Sequence, residues 1–155
     1  MHYESESPKE GEHDMGNKLG LAEAQLVVET ILEAAAARNM HFAAAVVDSG
    51  GELIFMARTD GATPLNARMC VNKAYTAVKW RRNTKTLKER LFDMSLGDDR
   101  REISWFGDAR FTPVWGGILL TADDGTVLGA LGESGGGPAQ DEELGQLGAK
   151  AFAAL

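Results

Sequence analysis

Cysteine is nearly missing from this chain, and its scarcity removes whole classes of explanation. Cys70 stands alone among 155 residues, so neither an intrachain disulfide nor a multi-cysteine metal site can form. It lies in an apolar helical stretch, where a small buried thiol is the ordinary reading. A nucleophile would need a positive, partly open setting, which Arg68 and Lys73 keep available. Histidine is almost as rare. His2, His13 and His41 make no zinc spacing and no H-E-x-x-H motif. No window approaches the roughly twenty apolar residues of a membrane span. Positive charge is in the minority, with 16 Lys and Arg against 23 Asp and Glu and a formal charge of −7. That balance argues against nucleic acid as the main partner. The opening MHYESESPKEGEHDMGNK has neither the basic start nor the apolar run of a secretory signal. The expectation is a cytoplasmic protein with no membrane partner. Residues 1–18 read as a disordered acidic tail and 19–155 as a single domain. His2 and His13 fall in that tail, and His41, alone before the first strand, reads as structural or solvent-facing.

What the chain does contain is two similar hairpins. AAVVDSGGELIFMARTD at 44–60 and GILLTADDGTVLGALGESG at 117–135 each read as strand, acidic-glycine turn, strand. Strand one, at 43–48, is apolar throughout, so both its faces are expected to be covered. The others are expected at 52–58, 114–122 and 127–134. Apolar residues at Leu21, Ala24, Val27, Val28, Ile31, Leu32 and Ala35 predict a helix over 21–39. Thr63 caps a helix over 64–81 with Pro64 in its first turn, a shorter helix covers 84–94, and a last one covers 139–155. The fold class is α+β, an antiparallel sheet of about five strands flanked by helices. Residues 95–113 form a long loop holding Trp105, Phe106 and Phe111, of the kind that covers a site or meets a partner.

The glycine-rich run at 132–137 is not a phosphate loop, because no Gly-Lys-Ser/Thr follows. It is a strand end whose backbone amides can hold an anion. Arg58 and Asp60 leave the second strand on one side. Leu65, Met69, Asn72, Lys73, Thr76 and Trp80 share one helix stripe. The pocket is therefore expected where Arg58, Asp60, Lys73, Thr76 and Trp80 converge, with Ser134 and Gly135 giving backbone amides, and with Lys73 outside the packed core. The basic run Lys79, Arg81, Arg82, Lys85, Lys88, Arg90 reads either as a solvated face or as a docking patch for something anionic.

The stretches VVDSGGELIFMARTDGA at 46–62, NKAYTAV at 72–78, TPVWGGILLTADDGTVLGALGESGG at 112–136 and Asp141 together resemble the haem-degrading-domain family, also called GlcG/HbpS-like or DUF336. The resemblance runs over 21–155. Lys73, Ala74, Thr76 and Ala77 match the family's helix motif, Arg58, Asp60, Gly61 and Ala62 its strand motif, and Gly132, Ser134 and Gly135 its strand end. It implies a profilin-like sheet between helices, a homo-oligomer, and binding of a tetrapyrrole (haem or corrinoid) or a similar anionic ligand. The 64–81 helix has no histidine where an axial ligand would be expected, so the cofactor stays open, haem included. The alternative is a small-molecule enzyme or accessory protein of organic-acid or aromatic catabolism. Arg58 and Lys73 would then hold a carboxylate, with Asp60 as base.

Overall fold

The structure, a computed structural model, describes residues 18–99 and 102–155. Of the expected acidic tail at 1–18, residues 1–17, with His2 and His13, lie outside the described residues. The chain runs α1 (Leu21–Ala36), β1 (Ala43–Asp48), β2 (Leu53–Arg58), α2 (Pro64–Trp80), α3 (Thr84–Leu91), two short 3-10 turns, β3 (Gly117–Thr121), β4 (Val127–Ser134) and α4 (Pro138–Ala153). The strands form one antiparallel sheet in the order β2-β1-β4-β3.

Both hairpin turns close as their residues dictate. The Asp48 carboxylate accepts from the Gly50 and Glu52 amides, and Gly51 takes φ +91°. Asp124 accepts from the Thr126 amide, and Gly125 takes φ +84°. These are the local acidic bonds and left-handed glycines that tight turns need. Helix α2 starts on a reciprocal cap. Thr63 Oγ1 accepts from the Asn66 amide, the Asn66 side chain accepts from the Thr63 amide, and Pro64 follows in the first turn. It stops at Arg81, which adopts φ +58°.

The two faces of the sheet are covered differently. On one face α1 and α4 pack Val27, Val28, Ile31 and Leu144 over Phe42, Ala44, Val46, Ile118, Leu120 and Leu131. On the other, α2 lays Cys70, Ala74, Ala77 and Val78 on Ala43, Ala45, Val47 and Ala130. Strand β1 is covered on both sides, as its apolar run predicts. Gly117 and Gly132 face each other in register beneath α2. A Cβ at Gly132 would overlap the Cys70 carbonyl, and one at Gly117 would overlap that of Lys73. The helix backbone therefore rests directly on the strands.

Among the described residues the sheet has four strands, a small difference from the expected count of about five. The outward amides of β3 are already satisfied, since Gly117 N–H donates to Thr84 Oγ1 and Leu119 N–H to Asn83 Oδ1, both at 2.9 Å. Side chains from the start of α3 thus stand where a fifth strand would pair. Within 95–113 the described residues form 3-10 turns at Met94–Asp99 and Ile103–Phe106 and then irregular chain. Among the described residues no helix is long and apolar enough to cross a membrane.

Candidate functional site

Helix α2 organises the expected site residues, and it separates them. Near its N-terminus, Arg58, Ala43 and Ser134 occupy one row across β2, β1 and β4. Directly paired residues point to the same face, so Arg58 and Ser134 both face α2, two strand spacings or about 10 Å apart. Asn66 Nδ2 donates to Ser134 Oγ at 3.3 Å, and Arg58 Nη1 donates to the Ala62 carbonyl at 3.4 Å. Arg58 and Asp60 are exposed. Gly135 lies flat on the backbone of His41 and Phe42, where a Cβ would not fit. The His41 ring lies against Gly61, so any side chain at 61 would collide with the imidazole. His41 is exposed, is the one histidine among the described residues, and has no hydrogen bond on its ring.

Lys73 departs from expectation. It is 1 % exposed, inside the packed core rather than outside it. Its Nζ donates to Asp141 Oδ2 at 2.7 Å and to the Glu133 carbonyl at 2.8 Å. Glu133 N–H still pairs with the Gly116 carbonyl, but Gly116 turns at φ +113° and the lysine takes the β4 carbonyl there. Asp141 Oδ1 accepts from the Gly136 amide, and Gln140 Oε1 from the Gly137 amide. Those two loop amides are therefore spent within the protein and are not free for an anion. With its ammonium bonded to the Asp141 carboxylate, Lys73 is a tie between α2, β4 and α4, not a carboxylate holder for a substrate.

Beside this tie sits the Glu133 side chain, fully buried, with neither carboxyl oxygen hydrogen-bonded. Gly116 and Gly145 make its room, since a Cβ at Gly116 would lie 2.7 Å from Oε1 and one at Gly145 would overlap the carboxyl. Burial pushes this carboxyl well above the usual carboxylate range; Asp141 and Glu142 add to the rise and the Lys73 ammonium opposes it. Cys70 is likewise raised by burial, to about 12, and its thiol donates to the Ala67 carbonyl. It is an inert core thiol, not a nucleophile.

The C-terminal half of α2 meets the aromatic segment. Thr76 Oγ1 accepts from the Thr112 amide and donates to the Asn72 carbonyl. Tyr75 donates to Asp108, and Arg110 donates to the Tyr75 hydroxyl at 2.6 Å. The Tyr75 hydrogen bond holds the Asp108 carboxyl below its ordinary value and is the main cause raising the phenol. Phe106 stacks on Phe111 at 4.8 Å and meets Trp80 edge-on at 6.0 Å. Beside them lies an open depression of about 310 Å³ lined by Ile103, Ser104, Gly107, Asp108, Ala109 and Phe111.

The structure thus gathers Arg58, Ser134, Gly135 and the nearby Asp60 around the N-terminal end of α2. It places Lys73 beneath that helix and Thr76 and Trp80 toward its other end. Fourteen residues separate Asn66 from Trp80, about 21 Å of helix, so the seven do not form one pocket. Sequence reasoning read His41 as structural or solvent-facing and gave it no site role, because it lies outside any motif. It read Glu133 only as part of a strand end, although its alternation with Leu131 sets it on the same inward face.

The comparisons agree with this architecture. The model of the haem degrading protein HbpS-like family matches residues 19–150. The GlcG protein of Escherichia coli K12 is 29 % identical over 111 residues, covering 72 % of this chain and 77 % of its own. The crystal structure of Klebsiella pneumoniae ORFY, a DUF336 protein, superposes with a TM-score of 0.79 at 25 % identity, covering 97 % of this chain and 99 % of the other. The PduOC domain, crystallised as a haem complex, shares the fold with a TM-score of 0.77 at 23 % identity over 86 % of this chain and 94 % of its own. The match over 19–150 identifies the chain as a member of the HbpS-like haem degrading protein family.

Proposed function

We propose that this chain is a ligand-binding domain for a tetrapyrrole, haem or corrinoid, with its site at the N-terminal end of α2. The observation that carries the reading is His41. An exposed imidazole with no hydrogen bond among the described residues lies against Gly61, three residues along the chain from the exposed Arg58, a donor set suited to a metal-centred ring with acidic side chains. His41 would ligate the metal. Arg58 would pair with a carboxylate, and the Ser134 and Asn66 side chains would orient the ring edge. Asp60 would set the local charge. A bound tetrapyrrole supplies a coordinating metal and a strong visible absorption. The family membership and the haem-complexed PduOC domain of the same fold support this reading. Lys73 and Asp141 act at one remove, fixing the β4 end against α2 and α4.

Titration with haemin and, separately, with a corrinoid tests the site. A Soret shift saturating at one equivalent is expected with haemin, and His41→Ala should abolish the axial-ligand bands. Arg58→Ala should weaken binding roughly tenfold, as loss of a charged hydrogen bond does. An unchanged spectrum for His41→Ala would sink the assignment. The proposal includes self-association. Among the described residues strand β2 pairs only with β1, and it exposes half of Leu53 (53 %), an apolar edge suited to a second copy. Light scattering at micromolar concentration that returns the 16.6 kDa monomer mass would refute that part.

A further inference from the structure

A buried ammonium and a buried carboxyl in one enclosed cluster each keep hydrogen-bonding capacity that the fold does not use. The Lys73 ammonium carries three donors and uses two, on Asp141 Oδ2 at 2.7 Å and on the Glu133 carbonyl at 2.8 Å. Glu133 is fully buried with both carboxyl oxygens unbonded. Asp141 and Gly145 lie four positions apart on one side of α4, and the Glu133 carboxyl occupies the space a Cβ at Gly145 would take. Two acids thus share one helix stripe, and the cation bonded to one already rests on the backbone of the other. With Glu133 protonated, the ammonium and the Asp141 carboxylate cancel. Loss of the proton would seal a net negative charge into the core, a state that a buried cluster reaches only by pairing anew. The described groups around it do not relieve that charge. Glu142 of α4 adds repulsion and keeps a buried, unbonded Oε2. Cys70 of α2 holds its proton, its thiol pushed up to about 12. The strand neighbours Ala44 and Gly116 carry no charge.

We propose that Lys73 is a switch between two acid partners, thrown by the proton on Glu133, and that it sets how firmly the glycine loop at 135–137 is held. While Glu133 keeps its proton, the ammonium fixes Asp141, whose Oδ1 holds the Gly136 amide at 2.9 Å. When Glu133 gives that proton to solvent water, the ammonium keeps the Glu133 carbonyl and turns its other donors from Asp141 to the new carboxylate. A lysine on a flexible four-carbon stem makes that change without moving the helix. Asp141 then has no cation to fix it, and its hold on the Gly136 amide loosens. The loop touches the proposed ligand site directly. Gly135 lies on the backbone of His41 and Phe42, Met40 abuts Gly136, and Ser134 precedes them in β4. Rising pH would therefore loosen the seat of His41, a consequence that rests on the ligand-site reading given above.

Amide hydrogen exchange of the ligand-free full chain tests the switch. It is read residue by residue by heteronuclear NMR from pH 5 to 8, with each rate divided by the intrinsic rate at that pH. Protection of the Gly136 amide should fall roughly tenfold across the range, and by more than that of Val46 in β1, which reports global stability. Glu133→Gln keeps a neutral side chain of the same shape and should hold Gly136 protection level. Glu133→Met fills the space without any acid and should do the same, so the test survives if one variant folds poorly. Level protection in the unaltered chain would overturn the proposal. So would an equal fall in both variants, or a fall at Gly136 no larger than at Val46. Haemin titration of the same proteins keeps the two readings apart. The expected exchange pattern without haemin binding would uphold the switch and remove the ligand site, whereas haemin binding with level Gly136 protection would do the reverse.

Discussion

The two faces of the sheet solve the same packing problem by opposite means. Under α1 and α4 the space is filled by large aliphatic side chains, Val27, Val28, Ile31, Leu131 and Leu144 among them. Under α2 the space is removed: Gly117 and Gly132 let the helix backbone touch the strands, and alanines fill what remains. The filled face can relax around a lost methyl, whereas the closed face has no slack, because backbone meets backbone. The closed face is also where the polar tie of Lys73 and Asp141 is tolerated, since the close approach brings α2 within a side chain's reach of α4. A short helix-to-strand distance thus makes a buried ion pair geometrically possible.

The sharpest way to break this contrast is Gly132→Val. Its branched side chain would meet the α2 backbone, which no rotamer relieves, and the expected loss exceeds about 4 kcal/mol. Far-UV circular dichroism should show a largely unfolded chain, and a folded variant with near-native melting would refute the closed-face description. Next comes Lys73→Met, which strands the Asp141 carboxylate and should cost about 3–5 kcal/mol by urea denaturation. Adding Asp141→Leu should recover most of that loss; a double variant as weak as the single one would mean the tie is not what holds the helices. On the filled face, Ile31→Val should cost only about 1 kcal/mol, and a larger loss there would erase the distinction.

The most specific effect, and the one that depends on pH, concerns Glu133. Its folded-state value lies above the unfolded one of about 4.3, so the folded chain keeps a proton that the unfolded chain releases. Stability is therefore full below that unfolded value and declines as pH rises toward the folded value. Glu133→Gln keeps a neutral isostere and should flatten the decline. Urea midpoints measured from pH 4 to 8 decide it: parallel slopes for the two proteins would mean that Glu133 is not held neutral.

Much of this architecture was legible in advance because it rests on local chemistry. The turns at Asp48–Gly51 and Asp123–Thr126, the Thr63–Pro64 helix start and the doubly covered β1 each follow from a few adjacent residues. The capping of the β3 edge was not, because Asn83 and Thr84 bond it through a contact that spans more than thirty positions. The sheet register sets Arg58 and Ser134 in one row, a placement that depends on pairing across β1 and is not readable from either strand end alone. Lys73 was misplaced because a helix stripe gives the direction of a side chain but not its depth. Nothing local reveals that Gly117 and Gly132 draw α2 inward until its lysine is enclosed.

The two side chains that seal β3 also limit how this molecule can grow. A sheet that pairs freely on both sides can recruit copies without end, the route by which apolar edge strands make fibres. Among the described residues the other edge of the sheet is β2, which pairs with β1 alone. Two copies joined β2 to β2 across a two-fold axis would form one continuous sheet, and each outer boundary would be a β3 strand whose Gly117 and Leu119 amides are already taken by Thr84 and Asn83. In such a pair sheet extension would end after a single step, and Asn83 and Thr84 would be its chain stoppers.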